Sequence, residues 1–269
     1  MKIGVKNMLR AVLPAVAVAA LAGGVLAGPA HAAELGGTVT VRYGVLVFTG
    51  TGVDNRILLV RSGGDLVVNE QNTGATLAAG TGCRQEPTTP GKVSCALPTN
   101  KIEIYLGGGY DEFTPMSGVT GLVDGGDQSD VYHGARPGAG TGLVYRGGPG
   151  SDRVDYVAST SRGVTVHMAN RIADDGRTGL DSDNILDDVE RIDGTVFDDV
   201  LIGNALNNVI YTKGGRDVVK SAEGSDLIMA DTGVKDRLLD CGNGGSGPGD
   251  YVNIDSVDRP VVTRCENIS

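Results

Sequence analysis

From Asp198 to Met229 the chain reads DDVLIGNALNNVIYTKGGRDVVKSAEGSDLIM, and its polar and apolar positions repeat every nine residues. An acid or its amide returns at Asp199, Asn208, Asp217 and Asp226, and an aliphatic residue follows each by two, at Leu201, Ile210, Val219 and Ile228. That period suits neither an amphipathic helix nor a long alternating strand. It suits a tight turn, whose glycines tolerate positive φ, followed by a three-residue strand whose middle side chain points inward. Two such units form one coil of about 18 residues, and coils stack about 4.8 Å apart, as paired strands do. Stacking then puts Asp199 over Asp217 on one edge and Asn208 over Asp226 on the other. Leu201 and Val219 line one inner wall, and Ile210 and Ile228 the other.

The same pattern extends upstream. GGPGSDRVD, Gly147 to Asp155, fits the nonapeptide G-G-x-G-x-D-x-U-x at every fixed position, U being a large apolar residue. LGGGYDEFT places Asp111 and Phe113 correctly with Leu106 at the first glycine position, and GGDQSDVYH places Asp130 and Tyr132 with Gln128 at the third. A slipped copy at Asp236 and a last turn around Asp250 continue the series downstream. Residues 33–105 read differently, as ordinary short strands (TVTVRYGVLVF, RILLVR, DLVVNE, KVSCAL, KIEIYL) forming an N-terminal β region that caps the repeats of 106–269. Residues 156–194 interrupt the repeats. Their middle, ADDGRTGLDSDN with Asp174, Asp175, Asp181 and Asp183, reads as an enlarged polar turn bulging from one edge; a short helix over Ile185–Arg191 is the alternative.

Composition agrees with many turns and a thin core. Glycine supplies 43 of 269 residues, there is no Trp, and aromatic residues make up 4%, so the core is expected to be aliphatic, without a large aromatic cluster. The first 32 residues carry Lys2, Lys6 and Arg10 ahead of an apolar run ending in Ala30-His31-Ala32, the pattern of a cleavable secretory leader, and no second apolar run of spanning length follows. A secreted protein, free of the membrane once the leader is removed, is the expectation. The leader holds three cations and no acid, so its removal deepens the net charge from −10 to −13. Such a surface repels nucleic acid and anionic membranes and attracts divalent cations. Asp outnumbers Glu by 25 to 8, as turns and cation loops favour. Cys83, Cys95, Cys241 and Cys265 allow three pairings, of which Cys83–Cys95 with Cys241–Cys265 closes the shortest loops.

Stacked acidic turns repel one another unless a cation lies between them, and Ca²⁺ accepts six to eight oxygens. Glycine turns can aim backbone carbonyls inward, which brings Gly147, Gly148 and Gly150 into the candidate metal set beside Asp152. Residues 106–255 resemble the hemolysin-type calcium-binding (RTX) repeat family, on the strength of YLGGGYDEF, GGPGSDRVDY, ADDG…DSDN…DDVERIDGT and DCG…D…CENI. With LAAGTGC added, the whole mature chain is similar to small exported actinobacterial calcium-binding repeat proteins. The resemblance implies an all-β, right-handed parallel β-roll with Ca²⁺ between turns, bound through Asp111, Asp130, Asp152, Asp199, Asp217 and Asp226. Asn208 occupies the equivalent position and is counted with them, although an amide can also stack without metal. Two departures stand out. The leader is N-terminal, so export through the family's C-terminal signal is not implied, and the paired glycines erode after Gly194, with Thr212–Lys213 before Asp217 and Ser221–Ala222 before Asp226. A metal-free solenoid whose acids serve turn amides is the alternative for that tract.

No G-x-S-x-G or H-E-x-x-H motif occurs, and His133 and His167 read as surface residues. A non-catalytic calcium-binding protein is therefore the expectation. A β-helix carbohydrate-active enzyme of polysaccharide-lyase type, with Arg153, Arg162 and Arg171 as candidates, and an adhesion or matrix module bound to cell-wall or extracellular polysaccharide are the alternatives. Clustered Asp and Arg on a long sheet face would favour the enzyme.

Overall fold

The computed structural model describes residues 33–134, 138–157, 161–244 and 249–269. The leader expected at residues 1–32 lies outside them. Residues Ala33–Ser269 form one compact unit. It is all-β, with one 3₁₀ turn at Arg259–Val261 among the described residues, and most strand pairs are parallel. None of the described helices is long and apolar enough to cross a membrane.

Three large sheets carry the structure. A 12-stranded sheet runs from Asn267–Ile268 at one edge to Cys83–Gln85 at the other. A 7-stranded sheet holds Lys101–Gly108, Thr120–Asp127 and Gly142–Arg146 together with the first hairpin, and a 6-stranded sheet holds Val164–His167, Val200–Ile202, Val218–Lys220 and Leu238–Asp240. From Glu112 to Asp155 the chain alternates between the 12-stranded and the 7-stranded sheet. From Arg191 onward its alternating partner is the 6-stranded sheet.

Register puts the apolar middles of the short strands in line. In the 12-stranded sheet Ile57, Phe113, Tyr132, Val154, Ile192, Ile210, Ile228 and Val252 pair in succession, and all are buried. Val166, Leu201, Val219 and Leu239 do the same in the 6-stranded sheet. Leu201–Val219 and Ile210–Ile228 thus occupy separate walls, as their phase requires. The N-terminal strands are not set apart from the repeats. Val45–Gly50 pairs in parallel with Lys101–Gly108, and Arg56–Ser62 with Glu112–Thr114, so the two hairpins extend the stacked columns.

Two expectations are corrected. The core is not purely aliphatic: Tyr132 stacks on Tyr145 at 5.1 Å between ring centroids and lies near Phe113, and Tyr156 meets it edge-on. These rings are buried together, filling volume that an aliphatic pair would leave empty. The polar segment 174–183 exposes Asp174, Thr178, Gly179 and Ser182 but is not solvent-facing throughout. Asp175, Arg177 and Asp183 are buried; Asp183 accepts from the Leu143 amide, Thr141 and the Tyr132 hydroxyl, and Asp175 from the amides of His167 and Ile185. Over 185–191 two short strand ends joined by a turn stand where the alternative placed a helix.

Both local cysteine pairs, Cys83–Cys95 and Cys241–Cys265, lie at disulfide distance, and no described cysteine is free. With the absence of a long apolar helix among the described residues, they accord with an oxidising, extracellular setting.

Candidate metal centre

Each acid of the repeat sits two residues before a buried strand centre, where the turn enters the strand. There it performs one local task. The backbone amide of a residue on one strand's entry turn donates to a carboxylate oxygen on the turn of the neighbouring strand. Along the 12-stranded sheet Asn55 donates to Asp111 at 2.6 Å, Asp111 to Asp130 at 2.9 Å, and Asp130 to Asp152 at 2.8 Å. Asp152 then donates to Glu190, Asn208 to Asp226, Asp226 to Asp250, and Asp250 to Glu266. A second ladder follows the 6-stranded sheet, from Val164 through Asp199, Asp217 and Asp236 to Asp258. Asp is the residue for this position because its short side chain reaches the neighbouring amide without leaving the turn.

The other oxygen is the unusual one. In Asp111, Asp130, Asp152, Asp217, Asp226, Asp236, Asp250 and Asp258, Oδ2 is buried and has no hydrogen-bond partner within the protein. An unsatisfied buried acceptor costs about 1–3 kcal/mol, and more when it is charged. Burial accordingly pushes the carboxyls up, to about 7 for Asp111 and Asp152, about 8 for Asp130 and Asp217, and about 6 for Asp226 and Asp236. The charge of neighbouring carboxylates adds to the rise; Asp130, for instance, feels both Asp111 and Asp152. The hydrogen bonds from backbone amides oppose it.

The first glycine of the motif explains itself in this geometry. A Cβ added to Gly125 would come within 2.5 Å of Asp130 Oδ2 and 2.6 Å of the Gly147 carbonyl oxygen. A Cβ on Gly147 would meet Asp152 Oδ2 and the Asp188 carbonyl in the same way. Each such glycine leaves a small space walled by one carboxylate oxygen and one carbonyl oxygen of the next turn. Gly148 has φ +103° and approaches the Gly126 carbonyl; Gly150 approaches that of Gln128.

These residues fit a hard cation in donor type: the donors are all oxygens, and the carboxylate member lacks a partner. The fit has a limit. Among the described residues no three His, Cys, Asp or Glu side chains converge on one point, so any calcium ion would be held mainly by backbone carbonyls with a carboxylate from the turn above or below. Asp130 and Asp152, with the carbonyls of Gly147 and Asp188, form the best set.

The remaining candidates divide. Asp111, Asp217 and Asp226 keep a free oxygen, but their first-glycine positions hold Leu106, Thr212 and Ser221. Asp199 spends both oxygens, Oδ2 on the Thr195 amide at 2.7 Å and Oδ1 on Val164 and the Thr195 hydroxyl. Asn208 is paired at both ends of its amide, accepting from the Asn204 amide and donating to Asn204 Oδ1 and the Glu190 carbonyl. These two behave as structural turn residues. Asp236, Asp250 and Asp258 join the ladders with free oxygens although longer turns displace them from the nine-residue phase.

A polar stripe crosses the outer face of the 12-stranded sheet. Arg56 bonds Glu112 at 2.6 Å, and His133 lies 3.4 Å from Glu112 and 3.7 Å from Asp155. Arg191 and Lys213 bracket Asp193 and both lie over the Tyr211 ring. Arg153 sits between Asp155 and Asp193 at 3.8 and 4.0 Å, beyond hydrogen-bond reach, and its buried Nε has no partner. Arg162 and Arg171 lie apart from this stripe, bonded to the Thr178 carbonyl and to Asp187. His133 is thus half-buried within a charged row, where the sequence suggested an ordinary surface residue. A comparison with known protein families finds no matching model. A comparison with curated proteins finds no relative.

Proposed function

We propose that this is an exported, non-catalytic calcium-binding repeat protein, a right-handed parallel β-roll whose stacked acidic turns hold Ca²⁺. The observation that carries the reading is the row of buried Oδ2 atoms without partners, two of which, in Asp130 and Asp152, lie beside turn carbonyls at glycines that cannot accept a Cβ. Calcium would supply the missing positive charge and take the unpartnered oxygens into its coordination sphere. The complete nonapeptide at Gly147–Asp155 and the 18-residue spacing between Asp199 and Asp217 and between Asn208 and Asp226 support the same fold. A bound cation that recognises only the folded state stabilises it by mass action. Calorimetric titration of the metal-stripped mature protein with Ca²⁺, paired with melting curves in chelator and in millimolar Ca²⁺, tests the proposal. Saturable heat and a melting temperature raised by several degrees are expected. No heat and coincident melting curves would overturn it and leave the ladders as metal-free turn supports.

A further inference from the structure

A cleft of about 440 Å³ opens beside the first strand of the polar stripe, within the range of about 300–1,000 Å³ usual for small-molecule sites. Its walls include Asp54, Gln71, Asn72 and Tyr110, and it shares Arg56 and Glu112 with the stripe. Cleft and stripe are therefore one continuous polar surface. Tyr110 is 63% exposed, and the Gln71 side chain is exposed as well.

The chemistry of this surface is mixed, and the mixture is informative. A row of cations alone would suit a polyanion, and a row of acids alone a metal or a basic peptide. Here guanidinium groups, which only donate, and an imidazole stand among carboxylates, which only accept. Arg56, Glu112, His133 and Asp155 stand on four successive strands, with Arg153 beside Asp155 on the fourth and Asp193 on the fifth. A hydroxyl donates and accepts through a single atom, so it can meet either kind of group at such a step. A chain carrying hydroxyls all along its length is a polysaccharide. Neighbouring strands are about 4.8 Å apart, comparable to the advance of one hexose along a glycan. The exposed Tyr110 ring offers a flat apolar platform with a polar tip, suited to a pyranose face. The terminal guanidinium nitrogens of the partly exposed Arg153 stand 3.8 and 4.0 Å from Asp155 and Asp193, leaving them room to donate to a ligand. The chain's net charge of −10 opposes a polyanionic glycan.

The geometry points to a binding site for a neutral polysaccharide, entering at the Tyr110 cleft and running over Glu112, His133 and Arg153. This site is independent of the calcium reading, since it lies on the outer sheet face and uses no ladder carboxylate. Affinity electrophoresis of the intact mature protein through gels containing galactomannan, hydroxyethylcellulose or polygalacturonate tests it, run once with Ca²⁺ and once with chelator. Retardation by at least one neutral polymer is expected, with at least a threefold rise in dissociation constant for Tyr110→Ala and for Arg153→Met. Both variants should keep the parent's melting temperature within a few degrees; if Arg153→Met unfolds, Tyr110→Ala, at an exposed ring, decides alone. No retardation by either neutral polymer would overturn the proposal. So would retardation by polygalacturonate alone, or neutral-polymer retardation unchanged in a folded Tyr110→Ala. Persistence of neutral-polymer binding in chelator would support it even where the calcium titration fails.

Discussion

The amide of Asp199 donates to Oδ1 of Asp217 at 2.8 Å, at the entry to the neighbouring parallel strand, and the amide of Asp217 repeats the bond to Asp236. Asp217 is thus acceptor for one neighbour and donor to the other, while its Oδ2 meets nothing in the protein. Replacement by Ala leaves the Asp199 amide unpaired and is expected to cost about 1–3 kcal/mol. Asn keeps the accepting oxygen and removes the buried charge. In chelator at pH 8, Asp217→Asn should therefore melt above the parent, and in saturating Ca²⁺ below it. A variant that melts above the parent under both conditions would show that no cation uses Asp217.

The pH dependence of the metal-free protein follows from the raised carboxyls. Asp111, Asp130, Asp152 and Asp217 have folded values of about 7 to 8 against the 3.8 of an ordinary aspartate. The folded state thus binds more protons than the unfolded chain between those limits, and its stability falls as pH rises. The stabilisation is complete below about pH 4 and gone above about pH 8. Denaturant melts in chelator should show a lower midpoint at pH 8 than at pH 5. Calcium should flatten the profile, because it competes with protons for the same oxygens. Stability rising with pH in chelator would refute the assignment.

Gly147→Ala places a methyl group against Asp152 Oδ2 and the Asp188 carbonyl. Overpacking of this kind costs about 1–3 kcal/mol. Gly52→Ala, whose Cβ would meet nothing within 4 Å, is the matched control and should stay within about 0.5 kcal/mol of the parent. Thermal melts of the two variants make the comparison. Equal effects would mean that the tight space at Gly147 does not exist in solution.

Loss of the Cys241–Cys265 pair, through Cys→Ser at both positions, removes a cross-link spanning 24 residues. A loss of about 2–4 kcal/mol is expected. Mass spectrometry of the native protein should show no free thiol at Cys83, Cys95, Cys241 or Cys265, and labelling without prior reduction would contradict the pairing.

Periodicity made one tract of the fold readable. Between Asp199 and Asp226 each turn has the same length, so phase alone identified the strand middles and the stacking partners. Where turn length varies, phase is lost although the ladder continues. Asp152 finds its acceptor 38 residues on, in Glu190, whose longer side chain makes the same bond as an Asp. Asn55 precedes Asp111 by 56 residues, with three antiparallel strand pairs in between. The segment 174–183 misled for another reason. Acids clustered in a glycine-rich stretch suggest solvent, yet Asp183 is satisfied by partners 40 to 51 residues upstream, Thr141, Leu143 and Tyr132. No local pattern encodes that contact. The free oxygens were equally hidden: sequence places the carboxylate, but only the packed turn shows which of its two oxygens is spoken for.

The placement of the two disulfides has a bearing on how such an array can open. A stack in which each coil bonds chiefly to its neighbours ordinarily peels from its ends, where one face lacks a partner. Here Cys83–Cys95 cross-links the two strands at one extremity of the 12-stranded sheet, and Cys265, just before the strand at the opposite extremity, is tied back to Cys241. Both peeling routes are stapled shut. The weak points shift inward, to rungs such as Asp130 and Asp152 whose buried Oδ2 atoms lack partners, and breakage becomes an internal event that must separate two intact halves at once.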